Sequence, residues 1–183
     1  MISVRLADLA EVRAAGILRP ASAEWQAVTP AMRRLEIAAG PTLDEHLTRL
    51  GELPVGSAAI TPAGDLTTPF LVHGIVRSYD EPVSPAGVRR ALQNGLRRAD
   101  EWGLDTLAAA PFGTGAGNLD VDEAARLMID VLLEHMQTAR FPHTVEIVVD
   151  SDYERDAFDR ALAANALPLL HDPRDGAQED APS

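Results

Sequence analysis

The segment Ala110–Leu119, APFGTGAGNL, constrains the fold more than any other stretch of the chain. The apolar run Thr106–Ala110 leads into it, and an amphipathic segment from Asp120 to about Arg140 follows. That order reads as buried strand, glycine loop, helix. Gly113, Gly115 and Gly117 carry no Cβ, so the backbone there can take positive φ and come close to a ligand. Consecutive amides in such a turn make a concave anion site. The start of the next helix would add free N–H donors and the positive end of its dipole. Two readings fit the stretch: a cradle for a phosphate or diphosphate, and a tight strand-to-helix turn with no ligand.

The remaining residues narrow what such a loop can belong to. At 183 residues and 46% hydrophobic, the chain is long enough to bury one core. No apolar run approaches the ~20 residues that span a bilayer. The start, Met1-Ile2-Ser3-Val4-Arg5-Leu6, alternates like a strand and has no leader profile, so a soluble cytoplasmic protein is expected. Cysteine is absent, which removes disulfides, thiol catalysis and thiolate metal sites. All sixteen cationic residues are Arg, so a Schiff-base lysine and a P-loop lysine are both excluded. The five His have no metal-ligand spacing, and neither a metal nor a cofactor is expected. The net charge of −12 argues against general nucleic-acid binding and direct membrane binding.

Strand and helix signals alternate along the chain. Strands are predicted at Ser3–Leu6, Gly16–Leu18, Val55–Ile60, Phe70–Val76, Thr106–Ala110 and Thr144–Val149. Helices are predicted from Pro30 to Ala39, stopped by Gly40, and from a capping box at Thr42–Glu45. Others start at Ser84-Pro85, at Asp120, and at a second capping box, Ser151–Glu154. Leu9–Ala15 is expected to make one or two helical turns, and Arg19–Thr29 to form a loop. The class is α/β with a mixed sheet covered on both faces.

Residues Ala39–Val76 read AGPTLDEHLTRLGELPVGSAAITPAGDLTTPFLVHGIV. This is similar to a helix, a "P-x-G-x-A-x-I-T" strand and an "L-x-x-x-x-x-I-H" strand of the macro domain, here ending in His73. Pro111–Asn118 resembles that family's diphosphate loop. The resemblance spans roughly residues 2–165. It implies a three-layer α/β/α sandwich with a central mixed sheet, a single domain over 1–168 and a flexible polar tail over 169–183. It also implies binding of ADP-ribose or a related NAD-derived nucleotide.

Position by position, the resemblance implies that Asp8, with Leu9 beside it, meets the adenine amino group. By residue type alone Asp8 is a turn or cap. Gly113, Thr114, Gly115, Ala116, Gly117 and Asn118 match the loop that wraps the diphosphate. Tyr153 sits where the family often places an aromatic against adenine or its ribose; the alternative is packing on the sheet edge. The departure lies at 18–29. The family's N-A-A-N and glycine-rich loop are replaced by Leu18-Arg19-Pro20-Ala21-Ser22 and Glu24–Thr29. Ser22 takes the place of the asparagine that positions the distal ribose. Arg19 is expected to pair with a phosphate or with Glu24, and Trp25 to stack on a ligand or pack as a lid. His73 is expected to be a core histidine.

Three functions follow. The first is a module that binds ADP-ribose, free or attached to a macromolecule, with weak or no hydrolysis and no catalytic residue assigned. The second is an ADP-ribosyl hydrolase using a rebuilt loop at 19–29, with Glu24, Glu36, Asp120 and His73 as the candidates to activate water. The third is a macro-like scaffold for a protein partner. The oligomeric state stays open.

Overall fold

The computed structural model describes residues 1–166. The expected tail, and the last two residues of the expected domain, lie outside the described residues. In chain order the elements are β1 (Ile2–Leu6), a 3-10 turn at Leu9–Glu11, β2 (Gly16–Ser22), α1 (Pro30–Ala39), α2 (Pro41–Leu50) and β3 (Ala58–Pro62). They continue with β4 (Phe70–Arg77), α3 (Pro85–Glu101), β5 (Thr106–Ala109), α4 (Val121–Thr138), β6 (Thr144–Val149) and α5 (Asp152–Ala166). One six-stranded sheet runs β1-β6-β5-β2-β4-β3. It is parallel except between β4 and β3.

Successive strand residues face opposite sides of this sheet. Ile17, Leu71, Ala108 and Val148 bury one face against Met32 and Leu35 of α1 and Leu43 and Leu47 of α2. Leu18, Val72, Leu107 and Val145 bury the other face against Leu92 and Leu96 of α3, Met128 and Leu132 of α4 and Phe158 of α5. The arrangement is the expected α/β/α sandwich with a mixed sheet.

Local boundaries depart from the sequence reading at three places. The segment Arg19–Ser22, expected to be loop, extends β2, whose partner β4 runs on beside it to Arg77. Pro20 is tolerated because β5 pairs only with Gly16–Leu18. The Leu18 carbonyl accepts from Ala110 on that side, and two residues later no strand is left there to need an amide. The capping box at Thr42 does not form. α2 begins at Pro41, whose fixed φ starts a helix directly after Gly40, with no side-chain cap. β3 begins at Ala58 because Pro54–Ser57 close a turn, Ser57 N–H donating to the Pro54 carbonyl at 3.1 Å.

The extension of β2 places Arg19 on the face beneath α1, fully buried. Its Nη1 donates to Glu36 of α1 at 2.5 Å, and its Nε donates to Nδ1 of His73 on β4 at 2.8 Å. The proton of the His73 ring therefore sits on Nε2, 2.8 Å from the Thr61 hydroxyl on β3. The expected partners of Arg19, a phosphate or Glu24, are both replaced by this internal chain, because strand register turns the side chain inward. His73 is a core histidine, as expected.

Burial, with the Arg19 charge adding to it, holds the imidazole well below its usual range. The folded state thus refuses a proton that the unfolded chain accepts below about pH 6.5. Stability is full above that pH and falls as pH drops toward the folded value. Urea unfolding at pH 7.5 and 5.5 is expected to show about 1 kcal/mol of extra loss relative to His73→Gln, which keeps an acceptor for Arg19 and has no proton to gain.

Candidate functional site

The C-terminal ends of β1, β6 and β5 open into a cleft of about 500 Å³. This is where parallel α/β sheets place ligands. Asp8 and Leu9 follow β1, Asp150 and Ser151 follow β6, and Pro111 and Thr114–Ala116 follow β5. The first turn of α1, Thr29–Met32, forms the facing wall, and Tyr153 and Glu154 of α5 close one side.

The glycine loop is anchored at both ends and open in the middle. Phe112 is fully buried and packs where a Cβ on Gly74 would stand, 2.7 Å from its ring. The Leu119 amide donates back to the Gly113 carbonyl at 2.9 Å. The Asn118 side chain donates to the Thr114 carbonyl at 2.8 Å. Between these ties, the amides of Gly113–Gly117 donate to no acceptor among the described residues. Gly115, at φ 110°, passes so close to α1 that a Cβ would lie 3.2 Å from the Thr29 methyl. A side chain there would be strained and would crowd the Thr29 methyl and the Asn118 amide.

The start of α4 adds fewer free donors than expected of it, since its N-cap side chain takes two of them. Asp120 Oδ1 accepts from the amides of Asp122 and Glu123, at 3.0 and 3.3 Å. Asp120, Asp122 and Glu123 also oppose the positive end of the dipole. The anion-binding capacity rests on the loop itself.

The sequence-assigned residues divide between two cavities. Asp8, Leu9, Thr114, Gly115, Ala116 and Tyr153 line the cleft. Asp8 is exposed there, with Oδ1 accepting from the Ala10 amide at 3.0 Å, so it caps the 3-10 turn as well as facing the hollow. Tyr153 is 67% exposed and does not pack on the sheet edge. Ser22, Gly117 and Asn118 line a separate cavity of about 490 Å³ beyond the loop, with Ala116 shared between the two. Ser22 is buried and its Oγ accepts from the Gln26 amide at 2.8 Å. Gly113 lines neither cavity; it faces Leu119 and Val88. Trp25 packs as a lid: its Nε1 donates to the Gly51 carbonyl at 2.7 Å, and its ring meets His73 edge-on.

Sequence reasoning missed Thr29, Arg34, Asp150 and Glu154. The available signal was position, since Asp150 follows a parallel strand directly and Arg34 lies one helical turn beyond Pro30. Arg34 binds Asp150 at 2.7 Å. Burial pushes the Glu154 carboxyl above its usual range, helped by the charge of Asp150 and opposed by the Thr114 hydroxyl.

A family profile described as Macro domain matches residues 31–128. The chain belongs to the macro domain family. An uncharacterized protein of Mycobacterium tuberculosis is 29% identical over 163 residues, covering 89% of this chain and 45% of that protein. The present macro domain thus spans less than half of that relative. The Oceanobacillus iheyensis macrodomain, solved with ADP, superposes with a TM-score of 0.82 at 17% identity over 90% of this chain and 91% of that one. The Trypanosoma brucei macrodomain in complex with ADP-ribose gives 0.79 at 14% identity, over 88% of this chain and 68% of that one. At such identities the likeness is one of fold.

The Asp120 cap gives a direct test of the local assignment. Asp120→Ala in this macro domain is expected to lower the free energy of unfolding by about 1 kcal/mol, measured by urea titration.

Proposed function

We propose that this chain binds ADP-ribose or a closely related NAD-derived nucleotide, free or as an ADP-ribosyl group, with weak or no hydrolysis. The observation that carries the reading is the run of unspent amides in the glycine loop, of which those of Thr114, Gly115 and Ala116 belong to residues lining the cleft. Backbone donors are the means left to an acidic chain for holding two phosphoryl groups. Asp8 and Tyr153 lie in the same hollow. A carboxylate suits an exocyclic amine, and a tyrosine ring suits a purine face.

The side chains that would activate water are each engaged elsewhere. Glu36 holds Arg19, and His73 lies buried between Arg19 and Thr61. Asp120 caps α4, and Glu24 accepts from the Tyr79 amide at 2.7 Å. This supports binding over turnover.

Isothermal calorimetry with ADP-ribose is expected to give saturable heat below about 1 mM, equivalent to about 4 kcal/mol of binding. Gly115→Glu, which strains the loop and adds a carboxylate at its mouth, is expected to weaken that binding at least ~10-fold. Silence from the parent protein at millimolar ligand would end the nucleotide reading.

Glu154 adds a pH signature. Its raised pKa means that lowering the pH neutralises a carboxylate beside the cradle while the diphosphate keeps its charge. Affinity is expected to rise as pH falls from 8 toward 5. Glu154→Gln is expected to bind more tightly at pH 8 and to flatten that profile. A steeper or unchanged profile would remove Glu154 from the account.

A further inference from the structure

The cavity beyond the glycine loop is bounded on its outer side by the turn Arg77–Val83. This turn is built rather than loose. The Ser78 amide donates to the Glu81 carbonyl at 2.9 Å, and the Glu81 amide donates to the Ser78 hydroxyl at 3.1 Å. The Tyr79 amide is held by the Glu24 carboxylate at 2.7 Å. At the apex of this pinned turn stands Tyr79, with its side chain 94% exposed. The backbone that carries the ring is fixed, so the ring is presented at a defined place, and an exposed aromatic so presented is suited to contact with a partner.

The charges on and beside the turn are mostly negative, three carboxylates (Glu24, Asp80 and Glu81) against the Arg77 guanidinium. Asp80 and Glu81 follow Tyr79 in the turn and are exposed with it. The Tyr79 amide and the nearby Arg77 charge hold the Glu24 carboxyl below its usual range, so it stays ionised. Arg77 is the one cation lining this cavity. The cavity shares Ala116 with the nucleotide cleft, so a group attached to the far end of a nucleotide in the cleft would emerge here. An exposed aromatic on a turn of net negative charge attracts a guanidinium or ammonium and repels a phosphate backbone.

We infer that the Tyr79 turn is an acceptor-reading surface, and that the nucleotide this chain holds is attached to a basic polypeptide segment presenting arginine or lysine. The inference rests on the nucleotide reading and adds the class of acceptor to it. Stacking of a nucleobase on Tyr79 is the competing use, and the acidic surroundings disfavour it.

The test compares four probes by calorimetry or fluorescence anisotropy. They are free ADP-ribose, and ADP-ribose carried on an arginine-rich peptide, on an acidic peptide and on single-stranded DNA. The basic conjugate is expected to bind about tenfold more tightly than free ADP-ribose, with the advantage shrinking in high salt. The acidic and DNA conjugates are expected to gain nothing. Tyr79→Ala and the double variant Asp80→Asn/Glu81→Gln are expected to erase the gain and leave free ADP-ribose binding unchanged. An equal gain on the acidic peptide or the DNA would overturn the inference, as would a gain that survives Tyr79→Ala. Free ADP-ribose binding with no gain on any conjugate would sink the acceptor surface alone. Failure of every probe to bind would sink the nucleotide reading and the acceptor surface with it.

Discussion

A full positive charge sits at zero exposure in the middle of this sheet, and much of the cleft depends on how it is satisfied. Arg19 on β2 links Glu36 of α1 to His73 of β4, which passes the chain on to Thr61 of β3. One line of hydrogen bonds therefore ties a helix to three strands. Burial pulls the guanidinium pKa down, and the carboxylate of Glu36 pushes it back up. Nη2 finds no partner among the described residues, so the charge is only partly compensated. Such a pair is a poor source of net stability against an apolar substitute, but breaking it leaves an uncompensated buried charge. Its consequence here is positional. α1 is held in one place on the sheet, and the first turn of α1 is the wall that approaches Gly115.

That wall matters because the cleft has little other means of attracting an anion. Asp8, Asp120, Asp150 and Glu154 all line it, against Arg34, which is already bound to Asp150. In a chain of net charge −12 the mean field opposes a diphosphate. Fixed backbone dipoles at short range are the available counterweight, and they act only if the backbone can be approached closely. The geometry meets that condition by leaving Gly115–Gly117 exposed while locking the loop ends with Phe112, Asn118 and Leu119. The Glu154 carboxyl is raised above its usual range chiefly by burial, with the Asp150 charge adding to it.

The succession of strands and helices along the chain, the two covering layers and the glycine loop were legible because each rests on a local pattern. Apolar periodicity, Pro at a helix start and Gly at its stop act within a few residues. α1 and the Ser84 and Ser151 caps therefore fall where the sequence places them. The fate of Arg19 was not legible. Whether an arginine in a short apolar strand turns to solvent or to the core depends on β4 pairing beside it and on Glu36 arriving from another element. Neither is written near residue 19. Glu154 is a related case: its carboxyl is shifted chiefly by burial, which depends on how α5 packs at the cleft, and by Thr114 from the glycine loop as well as nearby Asp150. The expected free donors at α4 are fewer for a subtler reason: the residue that best starts a helix, Asp120, also takes two of the amides that an anion would have used.

The division of the site residues between two cavities carries a structural consequence. Ser22, expected in the distal-ribose position, and Asn118, expected as the end of the diphosphate loop, line the far hollow and not the one that holds Asp8. A ligand that reached from Asp8 to Ser22 would have to pass along Ala116, which borders both hollows. The segment between the family-like strands therefore does more than lose a glycine-rich loop. Ser22–Thr29 folds into a lid held at Gly51 by Trp25, at the Tyr79 turn by Glu24 and at α1 by the Thr29 cap. Each tie fixes the far hollow as a preformed pocket with its own lining, in which Ser22, Glu24 and Gln26 of the lid face Arg77–Tyr79 of the opposite turn.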